Sequence, residues 1–519
     1  MRVLIFHGYL LRGTGSNIYN ASLVSALAGL GHEVHLLCQD RSAGELDFVD
    51  AVGTWDGGEL QVETIREPVR CTAYLPPIGE LLPVYVADTY EGFTARPFPE
   101  LSQAELEHYL EANAGAVREV AARVRPDVAL ANHLIAGPAV LARGLAGSVP
   151  YAVKVHGSAL EYVVRPHRER FLPLAREGLA GAGGVLVGSQ HTGESLWEVM
   201  DDPALPERTR LGPPGVDVHT FHPRPAPEAA QRLLALADRI ASGDAAGWGG
   251  EAGAPDALRS LDPEHERIVV YVGKLIVSKG VDLLLAAWPL VTAEVPDARL
   301  LVVGFGTYRD GLARLAAALA AGDLPAARDI AARGRELEGG PAGELTYLAA
   351  FLDGLEGDAR EGYLSAASTA FERLSFTGRL EHGDLPDVLP ACLAQVVPST
   401  FPEAFGMVAV EGAACGALPL SASHSGLAEV TRELRPAVTE DVAPLLSFER
   451  GPEAVQEIAA KLVAWLTLPA GAREEARGAL SRLARERYGW EGVAAGVIAA
   501  AQGRLEGLPL AAPDRRPSG

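Results

Sequence analysis

Short apolar stretches alternate with helical segments along this chain, and the alternation runs through both halves. The strand-like stretches are RVLIFHGY, HEVHLLCQ, DVALAN, YAVKVHG and GVLVGSQ in the first half, and RIVVYVGK, ARLLVVGFG, LSFTGRL, AQVVPST and ALPLSAS in the second. Alternation of strands and helices predicts a parallel sheet with helices on both faces. We therefore expect an α/β protein built from two doubly wound, Rossmann-like domains.

The two halves meet near the segment PGVDVHTFHP, which sets the expected domain boundary. A chain of 519 residues is too long for one hydrophobic core. We expect an N-terminal domain over residues 1–218 and a C-terminal domain over 219–486. The second domain is expected to carry two insertions: an acidic, Ala/Gly-rich surface segment or mobile loop near 226–266, and two or three extra helices near 307–375. Residues 507–519, rich in Pro and Arg, predict a disordered tail.

The composition excludes several classes of protein. A formal net charge of −22 and a pI near 5.1 argue against a dedicated nucleic-acid binder. No stretch approaches about 18 uninterrupted apolar residues, so no membrane span is predicted. The start of the chain lacks the features of a signal peptide. The four cysteines lie far apart without metal-ligand spacing, so we expect reduced core thiols in a cytoplasmic enzyme.

Two carboxylates stand out in the segment PSTFPEAFGMVAVEGAACGALPL. Glu403 lies in a loop flanked by Pro and Gly, and Glu411 lies one turn into the apolar helix that follows Gly406. A helix start offers unpaired N–H groups and a partial positive charge, which suit a phosphate. The carboxylates can accept hydrogen bonds from sugar hydroxyls. The combination predicts a sugar-nucleotide site, although a solvated loop glutamate and a helix-surface glutamate would also explain these two residues taken alone.

Further polar residues follow predicted strands, where ligands of doubly wound domains bind. Lys274 ends one strand and Lys279 begins the next helix, so both can neutralise a pyrophosphate leaving group. His156 follows the strand YAVKV and is expected at its carboxyl end, facing a cleft. Gly13 and Gly15 form only part of a dinucleotide-binding fingerprint. Alternatives without a function in ligand binding are exposed lysines, a structural loop histidine and turn glycines.

Taken in order, these motifs resemble the family 4 retaining glycosyltransferases, whose two Rossmann-like domains face each other across a cleft in the GT-B fold. The matching segments are GTGSNIYNASLVSALAGLGHEV, VKVHGSALEY, VGSQHTGESL, PGVDVHTFHP, VYVGKLIVSKGVDLLL, LLVVGFG, FTGRL, PSTFPEAFGMVAVEGAACG and SGLAEV. The resemblance covers nearly the whole chain outside the two insertions. It also implies that residues 487–506 form a terminal helix that crosses back to the first domain.

The resemblance implies a set of site residues. The catalytic groups would be His156, Lys274, Lys279 and Glu403, and the donor would be held by Gly15, Gly273, Leu380, Phe405, Gly406, Met407 and Glu411. Glu411 would accept both ribose hydroxyls, and the backbone after Glu403 would hold the phosphate. The family usually has Arg where this chain has Lys274, which keeps the charge but loses the bidentate fork. No metal and no resident cofactor are implied, because the nucleotide-diphosphate sugar is a co-substrate.

The implied reaction is metal-independent transfer of a sugar, with retention of configuration, to a sugar, lipid or small-molecule acceptor. A basic run, consisting of Arg165, His167, Arg168, Arg170 and Arg176, is compatible with peripheral contact to an anionic membrane surface, or simply with a solvated amphipathic helix. Three alternatives stay open at this stage. They are a nucleotide-sugar 2-epimerase, a disaccharide synthase or phosphorylase, and a non-catalytic sensor of sugar nucleotides.

Overall fold

The computed structural model describes residues 1–13, 15–86, 92–243 and 250–511. It divides the chain into two compact units. Unit 1 consists of Met1–Gly215 together with Tyr488–Gly519, and unit 2 consists of Val216–Arg487. The borders of the units lie near residues 218 and 486, where the sequence analysis put the domain boundaries.

Unit 1 is built around two sheets. Its strands are β1 (Arg2–Phe6), β2 (Glu33–Leu37), β3 (Ala51–Asp56), β4 (Glu59–Thr64), β5 (Cys71–Tyr74), β6 (Leu81–Val84), β7 (Thr94–Pro97), β8 (Val128–Asn132), β9 (Tyr151–Val155), β10 (Ala182–Val187) and β11 (Thr209–Leu211). Its first helices are α1 (Gly15–Gly29), α2 (Gln103–Val124), α3 (Gly137–Leu145), α4 (Gly157–Ala159), α5 (Arg168–Ala180), α6 (Gln190–Met200) and α7 (Leu205–Arg208).

The large sheet of unit 1 has the strand order β11-β10-β9-β8-β1-β2-β5-β3-β4. Its strands pair in parallel except for the antiparallel hairpin of β3 and β4. In β1, Val3 and Ile5 pack into one core with α1, while Leu4 and Phe6 pack into another core on the opposite face. Both faces are therefore covered. Because β1 lies between β2 and β8, the carboxyl ends of β1 and β8 form the topological switch point of this sheet, where such folds bind ligands.

Unit 2 contains the remaining strands and most of the other helices. Its strands are β12 (Arg267–Val272), β13 (Ala298–Val303), β14 (Leu374–Gly378), β15 (Ala394–Val397), β16 (Leu418–Ala422) and β17 (Ser447–Phe448). The helices are α8 (Ala226–Ala241), α9 (Ala254–Arg259), α10 (Val281–Glu294), α11 (Arg309–Ala320), α12 (Leu324–Arg333), α13 (Thr346–Asp353), α14 (Gly357–Ala370), α15 (Leu385–Val388), α16 (Met407–Ala414), α17 (Ser425–Leu434), α18 (Ala454–Thr467) and α19 (Ala470–Tyr488).

The sheet of unit 2 has the order β14-β13-β12-β15-β16-β17, with every pair parallel. Numbered from β12, this is the 3-2-1-4-5-6 order of doubly wound nucleotide-binding folds. The switch point lies between β12 and β15. The loops that carry Lys279 and Glu403 therefore leave neighbouring strands at the same edge of the sheet.

Both segments predicted as insertions consist largely of helices. Residues 226–266 contain α8 and α9, and α8 buries Ala229, Leu233 and Leu236. The acidic stretch ASGDAAGWGGEAGAPDA, which was expected to be a surface insertion or mobile loop, begins where α8 ends and runs into α9, which buries Ala254. Residues 244–249 of this stretch lie outside the described residues. Residues 307–375 contain four helices, α11 to α14, more than the two or three expected.

The end of the chain belongs to unit 1. Helix α20 (Trp490–Ala501) buries Trp490, Ala494 and Val497 in the core that also contains α1. The expected disordered tail is wrong for residues 507–511, because the backbone of Leu211 donates a hydrogen bond of 2.8 Å to the carbonyl of Pro509 at the edge strand β11. Residues 512–519 lie outside the described residues. In the described part of the chain, no helix has both the length and the apolar character needed to cross a bilayer.

Candidate active site

Two loops of unit 2 meet at its switch point, one after β12 and one after β15. Gly280 at the end of the first loop has φ of 65°, and a Cβ there would lie 2.0 Å from the carbonyl oxygen of Pro398. Only glycine permits that approach. The backbone N–H of Thr400 donates to the carbonyl of Ser278 at 2.9 Å, which joins the two loops.

The joined loops bring Lys279 and Glu403 into an ion pair across 124 positions of sequence. The Ser399 hydroxyl donates to the same carboxylate at 2.6 Å, and the backbone N–H of Glu403 donates to the Ser425 hydroxyl at 2.9 Å. The side chains of Lys279 and Glu403 are 30% and 22% exposed, so the pair is partly desolvated while a ligand can still reach it. We call these two residues the lysine–glutamate site.

Helix α16 starts four residues after Glu403. Its N-cap residue is Gly406, its first turn contains no acidic residue, and no described side chain caps it. The first N–H groups of a helix lack acceptors within the helix. This end of α16, which includes Phe405, Gly406 and Met407, can therefore bind an anion.

Glu411 lies inside α16 and is 3% exposed. Its Oε1 accepts a hydrogen bond of 2.8 Å from Nε2 of His382, whose ring centroid is 5.3 Å from that of Phe221. Burial by itself would lower the pKa of His382. The charge and the hydrogen bond of Glu411, together with the charges of Asp217 and Glu381, outweigh burial and raise that pKa. His382 was not predicted as a site residue, since its only signal in the sequence is its position shortly after FTGRL.

The other predicted residues of unit 2 lie at the same edge of the sheet. Gly273 and Lys274 directly follow β12, and Leu380 follows β14. A Cβ at Gly304, after β13, would lie 1.9 Å from the carbonyl oxygen of Gly273, so the loops after these strands are also closely packed. The predicted donor-binding residues of this unit thus follow β12, β14 and β15, whose carboxyl ends lie at one edge of the sheet.

A helix-rich segment that the sequence analysis assigned no function also reaches this loop. Glu338 lies in the connection between α12 and α13, and its carboxylate accepts a hydrogen bond of 2.7 Å from the backbone N–H of Val277. The Glu338 side chain is only 11% exposed. The carboxylate therefore holds the backbone between Lys274 and Lys279 in place.

Unit 1 carries a different set of side chains at its own switch point. A chain of hydrogen bonds runs from His156 Nε2 to Asn132 at 2.9 Å, from Asn132 to Asn20 at 2.7 Å, from Asn20 to His7 Nδ1 at 3.0 Å, and from His7 Nε2 to Asn17 at 3.0 Å. This pattern fits a neutral His7 that carries its proton on Nε2. The bonds link the ends of β1, β8 and β9 to helix α1.

His133 completes this arrangement, and we call His7, His133 and His156 the imidazole cluster. Burial lowers the pKa of His7 to about 4 and lowers the pKa of His133 and of His156 well below the usual value. The ring of His133 lies 4.8 Å from that of His156, and neither of its nitrogens has a hydrogen-bond partner among the described residues. The cluster is therefore neutral at pH 7. Within the described residues, no group of three or more His, Cys, Asp or Glu side chains could hold a metal ion.

The sequence of unit 1 also drew attention to Gly15 and to the basic run. Gly15 is the first residue of α1, and a Cβ there would contact nothing within 4 Å, so packing does not require glycine. In the basic run, Arg165 pairs with carboxylates, and Arg168, Arg170 and Arg176 donate to backbone carbonyls of unit 1. Arg168 and Arg176 are solvent-exposed, in keeping with the expectation of a solvated amphipathic helix, and the guanidinium groups of the run also hold neighbouring segments together. Peripheral membrane contact stays a prediction.

Both units match known protein families. Residues 14–215 match the glycosyl transferase 4-like domain, and residues 258–323 and 353–443 match glycosyl transferases group 1. Residues 324–352, which include α12 and Glu338, lie between the two matched stretches of unit 2.

Two curated relatives are similar over most of their length. The D-inositol 3-phosphate glycosyltransferase of Frankia alni is 25% identical over 448 residues, which are 85% of this chain and 89% of that protein. The D-inositol 3-phosphate glycosyltransferase 1 of Catenulispora acidiphila is 26% identical over 445 residues, 83% of this chain and 84% of that protein.

Solved structures share the fold at lower sequence identity. Sucrose-phosphate synthase from Thermosynechococcus elongatus has a TM-score of 0.56 and 19% identity, covering 95% of this chain and 96% of that one. Anabaena Alr3699/HepE in complex with UDP and glucose has a TM-score of 0.56 and 15% identity, covering 97% and 99%. The likeness confirms the predicted GT-B fold with two Rossmann-like domains.

Proposed function

The chain belongs to the glycosyl transferases group 1 family and is a glycosyltransferase, and from this premise we propose that unit 2 binds a nucleotide-diphosphate sugar whose sugar is transferred with retention and without a metal ion. The observation that carries the proposal is the lysine–glutamate site. Its Glu403 lies four residues before the uncapped start of α16. A cation, a helix N-terminus and a carboxylate together complement a diphosphate bonded to a sugar.

The diphosphate is proposed to lie between Lys279, Lys274 and the N-terminus of α16. Negative charge grows on the leaving diphosphate as the bond to the sugar breaks, and fixed positive groups stabilise that charge most in the transition state. In the structure Lys279 is paired with Glu403. Donor binding would exchange this partner for phosphate and release the carboxylate to accept hydrogen bonds from sugar hydroxyls.

The ribose is proposed to bind Glu411, whose two oxygens can accept two hydroxyl donors. His382 already holds Oε1 of this carboxylate, so the ring fixes the orientation in which Glu411 meets the ligand. Leu380, two residues before His382, would border the base.

His156 is proposed to contact the donor sugar as a neutral hydrogen-bonding group, not as a general base. Its Nε2 hydrogen-bonds Asn132, so Nδ1 is the acceptor that a sugar hydroxyl would use. Burial and the neighbouring His133 keep the pKa of His156 well below its usual value, which supports a role that needs no change of charge.

The acceptor is proposed to be a hydroxyl-bearing small molecule, and the names of the curated relatives make D-inositol 3-phosphate the first to test. Sugar and lipid acceptors would follow in the same assay. The four cysteines are buried free thiols, as expected in a reducing compartment, which supports a cytoplasmic location.

Turnover of a panel of nucleotide sugars, measured with and without acceptor and without added metal, tests the proposal. We expect release of nucleoside diphosphate that depends on acceptor and persists in EDTA, and a product with the donor's anomeric configuration. Conversion of the donor sugar without acceptor would instead identify an epimerase, and a requirement for free phosphate would identify a phosphorylase.

A further inference from the structure

One short turn of the backbone carries Lys279 to the lysine–glutamate site. This 3₁₀ turn, Val277–Lys279, lies after β12 and ends at Gly280. The carbonyl of Ser278, the middle residue of the turn, accepts a hydrogen bond of 2.9 Å from the backbone N–H of Thr400. The middle of the turn is therefore tied to the loop that carries Glu403.

The first residue of the turn is held from a different part of unit 2. The first N–H groups of a helical turn have no acceptor inside the turn. The backbone N–H of Val277 instead donates to Oε2 of Glu338 at 2.7 Å, across 61 positions of sequence. Val277 is 8% exposed and the Glu338 side chain is 11% exposed, so water has little access to this bond. A hydrogen bond to a carboxylate is roughly twice as strong as a bond between neutral groups.

The carboxylate of Glu338 is itself fixed in place. Its Oε1 accepts a hydrogen bond of 3.2 Å from Nε of Arg335. Gly334 has φ of 48°, and a Cβ there would lie 1.7 Å from the carbonyl oxygen of Gly343. Glycine permits both this φ and this close approach. The base of the connection between α12 and α13 is thus closed, and this holds Glu338 against Val277.

The connection that carries Glu338 lies outside the stretches that match the family. Residues 258–323 and 353–443 match glycosyl transferases group 1, and residues 324–352 lie between them. The turn that carries Lys279 lies inside the first matched stretch. A segment outside the family match therefore supplies the acceptor for a turn inside it.

We propose that Glu338 is a positioning residue for sugar transfer, which fixes the turn from which Lys279 reaches the leaving diphosphate. The proposal rests on the role proposed above for Lys279. The ammonium of a lysine is carried on a flexible four-carbon stem, so its place depends on the backbone beneath it. Loss of Glu338 would remove the acceptor of a buried N–H and let the first residue of the turn move. A displacement of about 1 Å can cost a catalytic group about 100-fold in rate.

Kinetics of Glu338→Ala in the full chain test the proposal. We expect kcat to fall by about tenfold while the donor KM changes by less than about threefold, because Lys279 acts most strongly in the transition state. Glu338→Gln keeps an acceptor oxygen at the same reach and should retain kcat within about threefold of the parent. Glu336→Ala is the matched control, because Glu336 is an exposed glutamate of the same connection that pairs with Arg333. It should leave kcat unchanged.

Two further measurements separate positioning from a purely structural role. Glu338→Ala added to Lys279→Ala should lower kcat no further than Lys279→Ala alone, because both changes act on the same ammonium group. Hydrogen exchange at the amide of Val277 should be about tenfold faster in Glu338→Ala than in the parent, and equal to the parent in Glu336→Ala. If Glu338→Ala does not fold, Glu338→Asp, whose carboxylate is one methylene short of Val277, answers the same questions.

Three kinetic results would overturn the proposal: an unchanged kcat in Glu338→Ala beside an impaired Lys279→Ala, an equal loss in Glu338→Gln and Glu338→Ala, or a further loss in the double variant. Unchanged exchange at the Val277 amide would overturn it as well. Failure of the proposed function has a different signature, because the Lys279→Ala chain would then turn over as fast as the parent.

Discussion

The switch point of unit 1 carries imidazoles and amides, whereas the switch point of unit 2 carries lysines and carboxylates. Both lie at the carboxyl ends of central parallel strands, β1 and β8 in one sheet and β12 and β15 in the other. In unit 1 the imidazole cluster is neutral, with His7 and His133 buried and His156 half-buried. In unit 2 Lys279 and Glu403 form an ion pair, and both side chains are partly exposed. The same topology therefore supports two kinds of chemistry.

The difference follows from the cost of burying charge. An isolated buried imidazolium is strongly disfavoured, so a cluster with only amide partners stays neutral. A neutral cluster can orient hydroxyl groups, but it cannot offset a developing negative charge. The charged site can do so, and its pair must open for a ligand. We therefore expect substitutions in unit 2 to affect the chemistry and nucleotide binding, and substitutions in unit 1 to affect the placement of the sugar.

Lys279→Ala should have the largest effect. Loss of the cation at the leaving group is expected to lower kcat by about 100-fold or more, with a smaller change in donor affinity. Steady-state kinetics with the preferred donor would measure both quantities. Lys461→Ala is the matched control, because Lys461 also pairs with a glutamate of unit 2 but lies on α18. A loss confined to KM would contradict the assignment.

Glu411→Ala should have the second-largest effect. Removing the acceptor of the ribose hydroxyls is expected to cost about 1.5–3 kcal/mol, or roughly 10- to 100-fold in nucleotide affinity. Calorimetry with a nucleoside diphosphate would measure the change, with Glu457→Ala on α18 as the control. Affinity equal to that of the parent chain would remove Glu411 from the site.

His156→Gln should have a moderate effect, about tenfold in kcat, because a neutral hydrogen bond to the sugar is lost or misplaced. Because burial holds the pKa of His156 well below its usual value, its ring stays uncharged around and above neutral pH. The pH profiles of kcat for the parent and His156→Gln should therefore coincide after scaling. Loss of an inflection near neutral pH in the variant would show that His156 titrates during catalysis. His167→Gln, an exposed histidine of the same unit, is the control.

His382→Gln should have the smallest effect, and the quantity that changes is the free energy of unfolding. The pKa of His382 is raised above 6.5 in the folded chain, so protonation of this histidine favours the folded state. Its contribution, on the order of 1 kcal/mol, is present in full below pH 6.5 and is lost as the pH rises through the raised value. Urea unfolding of the parent and the variant at several pH values should show a difference that shrinks with rising pH. His265→Gln, an exposed histidine paired with Asp262, should show a smaller difference. If the difference in unfolding free energy between the parent and His382→Gln grew with pH, the raised pKa of His382 would be contradicted.

The alternation of strands and helices was enough to predict both Rossmann-like domains, and it placed Lys279 at the start of the helix after one strand and Glu403 in a loop before a helix. Their meeting follows from β12 lying next to β15, which the strand order of such folds requires. The side chains that hold Glu411 and the loop after β12 in place were not predictable from the sequence. His382 reaches Glu411 only through tertiary packing, and Glu338 comes from a segment between the two matched family stretches.

Other features were not predicted for the same reason, namely contacts between residues that are distant in sequence. The composition of the acidic, Ala/Gly-rich stretch within residues 226–266 favoured a surface insertion or mobile loop, but its last residues begin α9, which buries Ala254 and Leu258. The arginines of the basic run were interpreted from charge alone, although Arg168, Arg170 and Arg176 bond to carbonyls that no sequence pattern marks. Side-chain partners that are distant in sequence decide such cases, and a single chain gives no signal for them.

The central claim is that the charged switch point of unit 2 binds the nucleotide of the donor. The most direct test is calorimetric titration of the parent chain, Glu411→Ala and His156→Gln with UDP, GDP and ADP. The account predicts saturable binding of one diphosphate to the parent and to His156→Gln with similar affinity, and markedly weaker binding to Glu411→Ala. Equal affinity in all three chains, or a loss only in His156→Gln, would contradict it.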